Sequence, residues 1–169
     1  VNGDSYDASA ITVNKTSDGA IDGVSGSKVT NDAGNYEWTG SASTTNAGLD
    51  KNYNLVVTAN GKSKVEKATL NVGLSDVYRT YGNAKIINGS YSAGNITGLV
   101  NGDSYDASAI TVNKTSDGAI DGVSGSKVTN DAGNYEWTGS ASTTNAGLDK
   151  NYNLVVTANG KSKVEKATL

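Results

Sequence analysis

The sequence contains no Cys, Met, Phe, Pro or His, and no Gln occurs in it either. Without Cys there is no disulfide framework, no thiol nucleophile and no thiolate metal site. Without His as well, the usual zinc and non-haem iron ligand sets are out of reach. Every nucleophile–His–acid triad is excluded too. Acid–base work near neutrality would fall to carboxylates, Lys or Tyr, so an enzyme is not expected. Apolar runs are only a few residues long, which predicts no transmembrane segment. No basic, apolar, small-residue leader is read in these residues. Lys and Arg together number 14 against 17 Asp and Glu, and Arg79 is the single arginine. Nucleic-acid binding needs a basic face, so nucleic acid is not an expected partner. Apolar residues make up only 36% of the 169, which predicts thin cores. Such a composition is compatible with disorder; the pattern of strands points the other way.

What is present is a long repeat. Residues 100–169 reproduce residues 1–70 letter for letter, an offset of 99 positions (100 minus 1). Residues 71–99 occur once. Periods of about 20–50 residues mark solenoids, whereas a unit near 100 residues is the size of an independent domain. The chain therefore reads as tandem domains rather than one medium-sized globule.

Short β-rich runs punctuated by Gly, Asn and Asp dominate, and helical periodicity is weak. Strands are predicted at 68–73, 85–91, 104–107, 109–113, 134–142, 152–158 and 161–165, with a short edge strand at 127–129. Asn159-Gly160 between two such runs predicts a tight hairpin, and Asn60-Gly61 repeats it. Alternation runs from 61–65 through Ala68, Leu70 and Val72 without a turn residue. One domain is thus expected to pass almost directly into the next. On this reading 1–67 is an incomplete immunoglobulin-like repeat lacking its first strand or strands. Residues 68–166 are a complete repeat, and 167–169 begin another. The fold class is all-β, with tandem immunoglobulin-like β-sandwich domains of short strands.

Asp131, Gly133 and Tyr135 have the D-x-G-x-Y form of a tyrosine corner, in which the phenol bonds back to nearby backbone. The form recurs at Asp32 to Tyr36. Trp137 (and Trp38) lies two residues on, on the same strand face. Its expected role is to fill the core where antibody domains place a disulfide; a sugar-stacking surface ring is the alternative.

Further segments carry a resemblance. Val77-Tyr-Arg-Thr-Tyr81-Gly82 resembles the "tYGd" opening of MBG- and YDG-type repeats of large Gram-negative surface adhesins, filamentous-haemagglutinin-like and others. Thr97-Gly-Leu-Val-Asn-Gly102-Asp103 looks like their "sGLvnGD" segment, and Asn130 to Tyr135 like "nvGtY". Asn151 to Val156 followed by Lys166-Ala-Thr-Leu169 is similar to the closing "NYnitv…tItkAtL". The match spans the 99-residue unit in order. Asn83 replaces the usual Asp, and the Gly/Ser-rich stretch 115–126 is longer. The resemblance implies repeated Ig-like domains giving stalk or adhesive length at a bacterial surface or in an extracellular, biofilm-type matrix. It implies neighbouring repeats of the same protein as partners, and a glycan or host surface as a further one.

Asp103, Asp106, Asp117 and Asp121 are weak calcium candidates, since calcium takes six to eight oxygens. Their spacing does not meet the EF-hand template, and Asp beside Gly also serves turns. No other cofactor is expected. A Lys–Asn crosslink using Lys163 or Lys166 with Asn151 or Asn153, assisted by Glu165, is a further candidate for stiffening a fibre. A weak glycan site per repeat would gain through avidity, with Tyr78 and Tyr105 as contacts. Finally, a repeat missing its first strands exposes an edge that invites strand addition from another copy, which would build a filament.

Overall fold

The computed structural model describes residues 3–19, 32–118 and 130–169. The predicted strand at 127–129 lies outside them. The described chain is predominantly β and divides into two compact units, Val1–Glu66 and Lys67–Leu169.

In the first unit, β1 (Ile11–Asp18), β2 (Gly34–Thr44) and β3 (Gly61–Val65) form one antiparallel sheet in that order. A one-turn-plus helix, α1 (Ala47–Asn52), follows β2. Asn46 starts it, its Oδ1 accepting the Leu49 N–H at 3.0 Å; such a cap satisfies a donor that the first helical turn leaves open.

The described residues of the second unit form eight strands. These are β4 (Ala68–Leu74), β5 (Val77–Thr80), β6 (Ile86–Gly89), β7 (Ala93–Thr97), β8 (Ile110–Asp117), β9 (Gly133–Thr143), β10 (Tyr152–Ala158) and β11 (Gly160–Glu165). A helix α2 (Ala146–Asn151) precedes β10 and is capped by Asn145. One sheet has the order β10-β4-β7 and the other β6-β5-β11-β9-β8. Pairing is antiparallel except for two parallel pairs, β10 with β4 and β11 with β5.

The core lies between these sheets. Side chains alternate along a strand, so Leu70, Val72 and Leu74 of β4 all point inward and are buried. Leu70 and Val72 meet Ile110 of β8, Leu148 of α2 and Tyr152 of β10. Leu74 and Val77 meet Trp137 of β9, with Ile86, Tyr91, Val112 and Val156 against them. Leu74 belongs to one sheet and Val77 to the other, so the chain changes sheets across Ser75 and Asp76. The Trp137 indole N–H holds that step, donating to the Ser75 carbonyl at 2.7 Å.

Two local expectations are corrected. Asn159-Gly160 is no hairpin, because β10 pairs with β4 and β11 with β9 in the other sheet. The pair is a crossover between sheets, and neither residue has positive φ. Gly is needed there for space: a Cβ on Gly160 would overlap the Trp137 indole and the Ser75 carbonyl. The predicted strand at 104–107 is loop and short 3-10 turn, since Asp106 caps Ala107–Ala109 by accepting the Ser108 N–H at 3.0 Å. Strands β5 and β7 and both helices occupy stretches without an assigned element.

Candidate functional site

The sequence repeat places the same residues in two surroundings. In the second unit, β4 to β7 cover the inner face built by residues 100–165. Residues 3–66 supply the same inner face, but the described chain has no counterpart of β4–β7 over it. The consequences are local and measurable. Trp137 is 0% exposed, whereas Trp38 is half-buried. Val13 and Val57 are 54% and 43% exposed, while their equivalents Val112 and Val156 pack on the core. Most telling is the heptapeptide YNLVVTA. At 152–158 it is strand β10, in register with β4; at 53–59 it forms no strand.

What remains in the first unit is a groove of about 500 Å³. Its walls include Tyr6, Ile11, Ala42, Leu49, Tyr53 and Leu55. Their equivalents in the second unit are Tyr105, Ile110, Ala141, Leu148, Tyr152 and Leu154, all in or against the cluster that holds Leu70 and Val72. Among the described residues the groove therefore corresponds to the seat that those two β4 side chains fill in the second unit. Its polar rim is the same in both units. The Tyr53 hydroxyl donates to Asp4 Oδ2 at 2.6 Å, and Tyr152 to Asp103 Oδ2 at 2.7 Å. The bond to Asp4 raises the Tyr53 pKa, because ionising the phenol would remove the donor and set two anions together. Burial, then the Asp103 bond, raises that of Tyr152.

A second polar feature sits beneath β5. Arg79 is 1% exposed and Asp117 0%, with Arg79 Nη2 at 3.1 Å from Asp117 Oδ2. Arg79 also donates to Ser162 Oγ at 3.2 Å and to the Tyr91 hydroxyl at 2.6 Å, and Tyr91 donates to Asp117 Oδ2. Burial and the Asp117 bond push the Tyr91 pKa up to about 12. The Tyr91 ring stands edge-on to Trp137 at 5.0 Å between centroids, and Lys114 Nζ lies 4.9 Å from its centre. Arg79, Tyr91 and Ser162 were not among the sequence candidates. Their signal was present, however: Arg79 shares the inward face of β5 with Val77 by simple alternation.

The sequence candidates fall as follows. Tyr135 donates to the Asp131 carbonyl at 2.9 Å, and Tyr36 to that of Asp32 at 2.8 Å; Gly133 packs on the Tyr135 ring. Of the calcium candidates, Asp103 accepts from Tyr152, Asp117 pairs with Arg79, and Asp106 caps a turn. The Ser108 amide bonded to it holds the Asp106 carboxyl below its ordinary pKa. Asp121 lies outside the described residues. These carboxylates serve separate partners, and among the described residues no group of three acidic side chains is placed to hold a metal. Lys163 is exposed and 3.5 Å from Glu165. Tyr105 packs on the core cluster, where burial raises its pKa, and Tyr78 is half-buried beside Asp76. No helix among the described residues is long and apolar enough to cross a membrane. No family model, curated protein or solved structure matches this chain.

Proposed function

We propose that the chain is a segment of a tandem-repeat stalk or fibre, built from immunoglobulin-like β-sandwich domains and serving reach and mechanical continuity outside a bacterial cell. One observation carries this reading: β10–β11 run alongside β4–β5 in the same direction. Ala68 is opposite Tyr152, and Thr80 is opposite Glu165. The chain thus enters the second unit at one end and leaves at the other. The thirteen residues 68–80 set that separation at about 40 Å, at ~3.3 Å per extended residue.

Only Glu66 and Lys67 separate β3 from β4, so successive repeats are joined by a short, nearly strand-continuous link. Two sheets with a core between them and a tyrosine corner on β9 support the immunoglobulin-like class. The buried charges are paired with one another instead of facing a cleft, which supports a structural role over a catalytic one. Small-angle scattering of proteins with one, three and five 99-residue repeats tests the reading. The maximum dimension is expected to grow linearly, by about 40 Å per repeat. A particle that grows as a compact globule would overturn it.

A further inference from the structure

We propose that segments 68–81 and 152–165 of the second unit form one shear clamp, which sets the force at which that unit opens, with Asp76 as the residue that joins its two halves. This rests on the stalk reading, since only a chain that transmits tension loads these segments. Ala68 to Gly73 pair with Tyr152 to Ala158 in one sheet, and Val77 to Thr80 pair with Ser162 to Glu165 in the other. Both ladders are parallel. The Tyr81 N–H extends the second by donating to the Glu165 carbonyl at 2.7 Å. The two segments change sheets at the same level, and there both ladders stop. One side chain bridges the break: Asp76 Oδ1 accepts the Lys161 N–H at 3.2 Å. The Trp137 indole N–H, donating to the Ser75 carbonyl, fixes the same step from β9. Segment 68–81 is thereby joined to 152–165 along its length.

Lys67 and Lys166 flank the clamp at opposite ends, next to the Ala68–Tyr152 and Thr80–Glu165 pairs. Tension between them pulls the two segments past each other along their own axes. The rungs lie across the pull and are evenly spaced, so they share it and none yields alone. Sliding is opposed inside the core as well. A slip of one residue turns every inward side chain of a strand outward, and Leu70, Val72, Leu74 and Val77 are all buried. A slip of two keeps the faces but takes Arg79 from Asp117 on β8 and Ser162 on β11, its partners at 3.1 and 3.2 Å. Both charges are out of water, so parting them leaves each buried without its counter-charge. A pull applied to both segments at the same end acts differently. It separates Ala68 from Tyr152 first and then each rung in turn.

Single-molecule pulling on the full chain tests the clamp. The chain has no Cys, so introduced thiols are the only handles. Lys67→Cys with Lys166→Cys loads the segments end to end. Lys67→Cys with Asn153→Cys loads them at one end, since Asn153 is opposite Thr69. All three positions are exposed. The end-to-end rupture force is expected to be several-fold higher than the one-end force. It should release the 99 peptide units between the handles (166 minus 67) in one step. That step is about 300 Å, at ~3.5 Å per residue less the folded separation. Equal forces in the two geometries, or end-to-end release in smaller steps, would overturn the clamp. Asp76→Ala is expected to lower the end-to-end force and leave the one-end force unchanged. Asp76→Asn, which keeps the acceptor oxygen, is expected to retain the full force. An equal loss in both geometries, or no loss in Asp76→Ala, would overturn the role of Asp76. Because scattering reads the array independently, a rod whose second unit breaks equally in both geometries removes the clamp and leaves the stalk. A compact array with a stronger end-to-end direction does the reverse.

Discussion

At the scale of single residues, the buried Arg79–Asp117 pair is the most sensitive point of the second unit. Both groups are out of water, so attraction and desolvation nearly cancel, while removing one partner strands the other. Arg79→Met is expected to destabilise the second unit by about 3–5 kcal/mol, and adding Asp117→Leu to recover most of it. Urea unfolding of the two variants checks this; equal losses in both would show that Arg79 acts through packing alone. Tyr91 adds a pH dependence of defined sign. Its folded pKa, about 12, lies above the ordinary value near 10. The stability it contributes is fully present below pH 10 and is lost between pH 10 and 12. The urea midpoint of the second unit should fall across that window, and fall less in Tyr91→Phe. An equally steep fall in the variant would assign the alkaline loss to other groups. The two tryptophans form a matched pair. Trp137→Ala removes a fully buried ring and is expected to cost about 3–5 kcal/mol, while Trp38→Ala, at a half-buried ring, should cost less than half as much.

At the scale of elements, the same letters fold differently according to what lies beside them. Residues 53–59 and 152–158 have equal propensities by identity, so propensity does not account for the difference between them. The partner strand β4 does, as context commonly overrides local preference in sheets. Gly61 and Gly160 make a similar comparison. A Cβ on Gly160 meets both the indole and the fixed Ser75 carbonyl, whereas at Gly61 the three nearest atoms all belong to the Trp38 ring. Gly160→Ala is expected to cost about 1–3 kcal/mol and Gly61→Ala clearly less, because a half-buried ring can swing aside. Thermal unfolding of the two variants tests the order, and equal shifts would contradict it. This also marks what the sequence made legible. Period-2 alternation located β4, β8, β9, β10 and β11, and D-x-G-x-Y located a phenol bonded to backbone. The Asn-Gly pairs misled, because turn propensity describes four residues and not which sheet the next strand joins. Strand β7 was missed because its Gly and Asn weaken the alternation. The short helices were missed because their start is set by one Asn side chain and their length by little else. Reading 1–67 as lacking its first strands anticipated an exposed edge, but the lining of the groove was beyond local reading, since β10 and its partner β4 lie 84 residues apart (152 minus 68).

At the scale of the molecule, the two units differ in stability for a reason that sequence identity makes unusually clean. Residues 1–66 and 100–165 share every side chain, so their intrinsic helix and strand preferences cancel in the comparison. What differs is the cover: Leu70, Val72, Leu74 and Val77 are buried in the second unit, and each buried side chain of this size is worth about 1.5–3 kcal/mol. The same cover buries Trp137, Tyr152, Ile110 and Val164, whose equivalents in the first unit are only partly buried. Unfolding of the whole chain should therefore proceed in two steps, the first unit melting at the lower urea concentration. Tryptophan fluorescence follows each unit separately, since Trp38 and Trp137 are the only two indoles. Trp38→Phe is expected to erase the early step from the fluorescence trace and leave the late one. A single transition in which both indoles report the same midpoint would mean that residues 3–66 are held by something other than their own sheet. In that case the open inner face would not be the weak point that the groove implies.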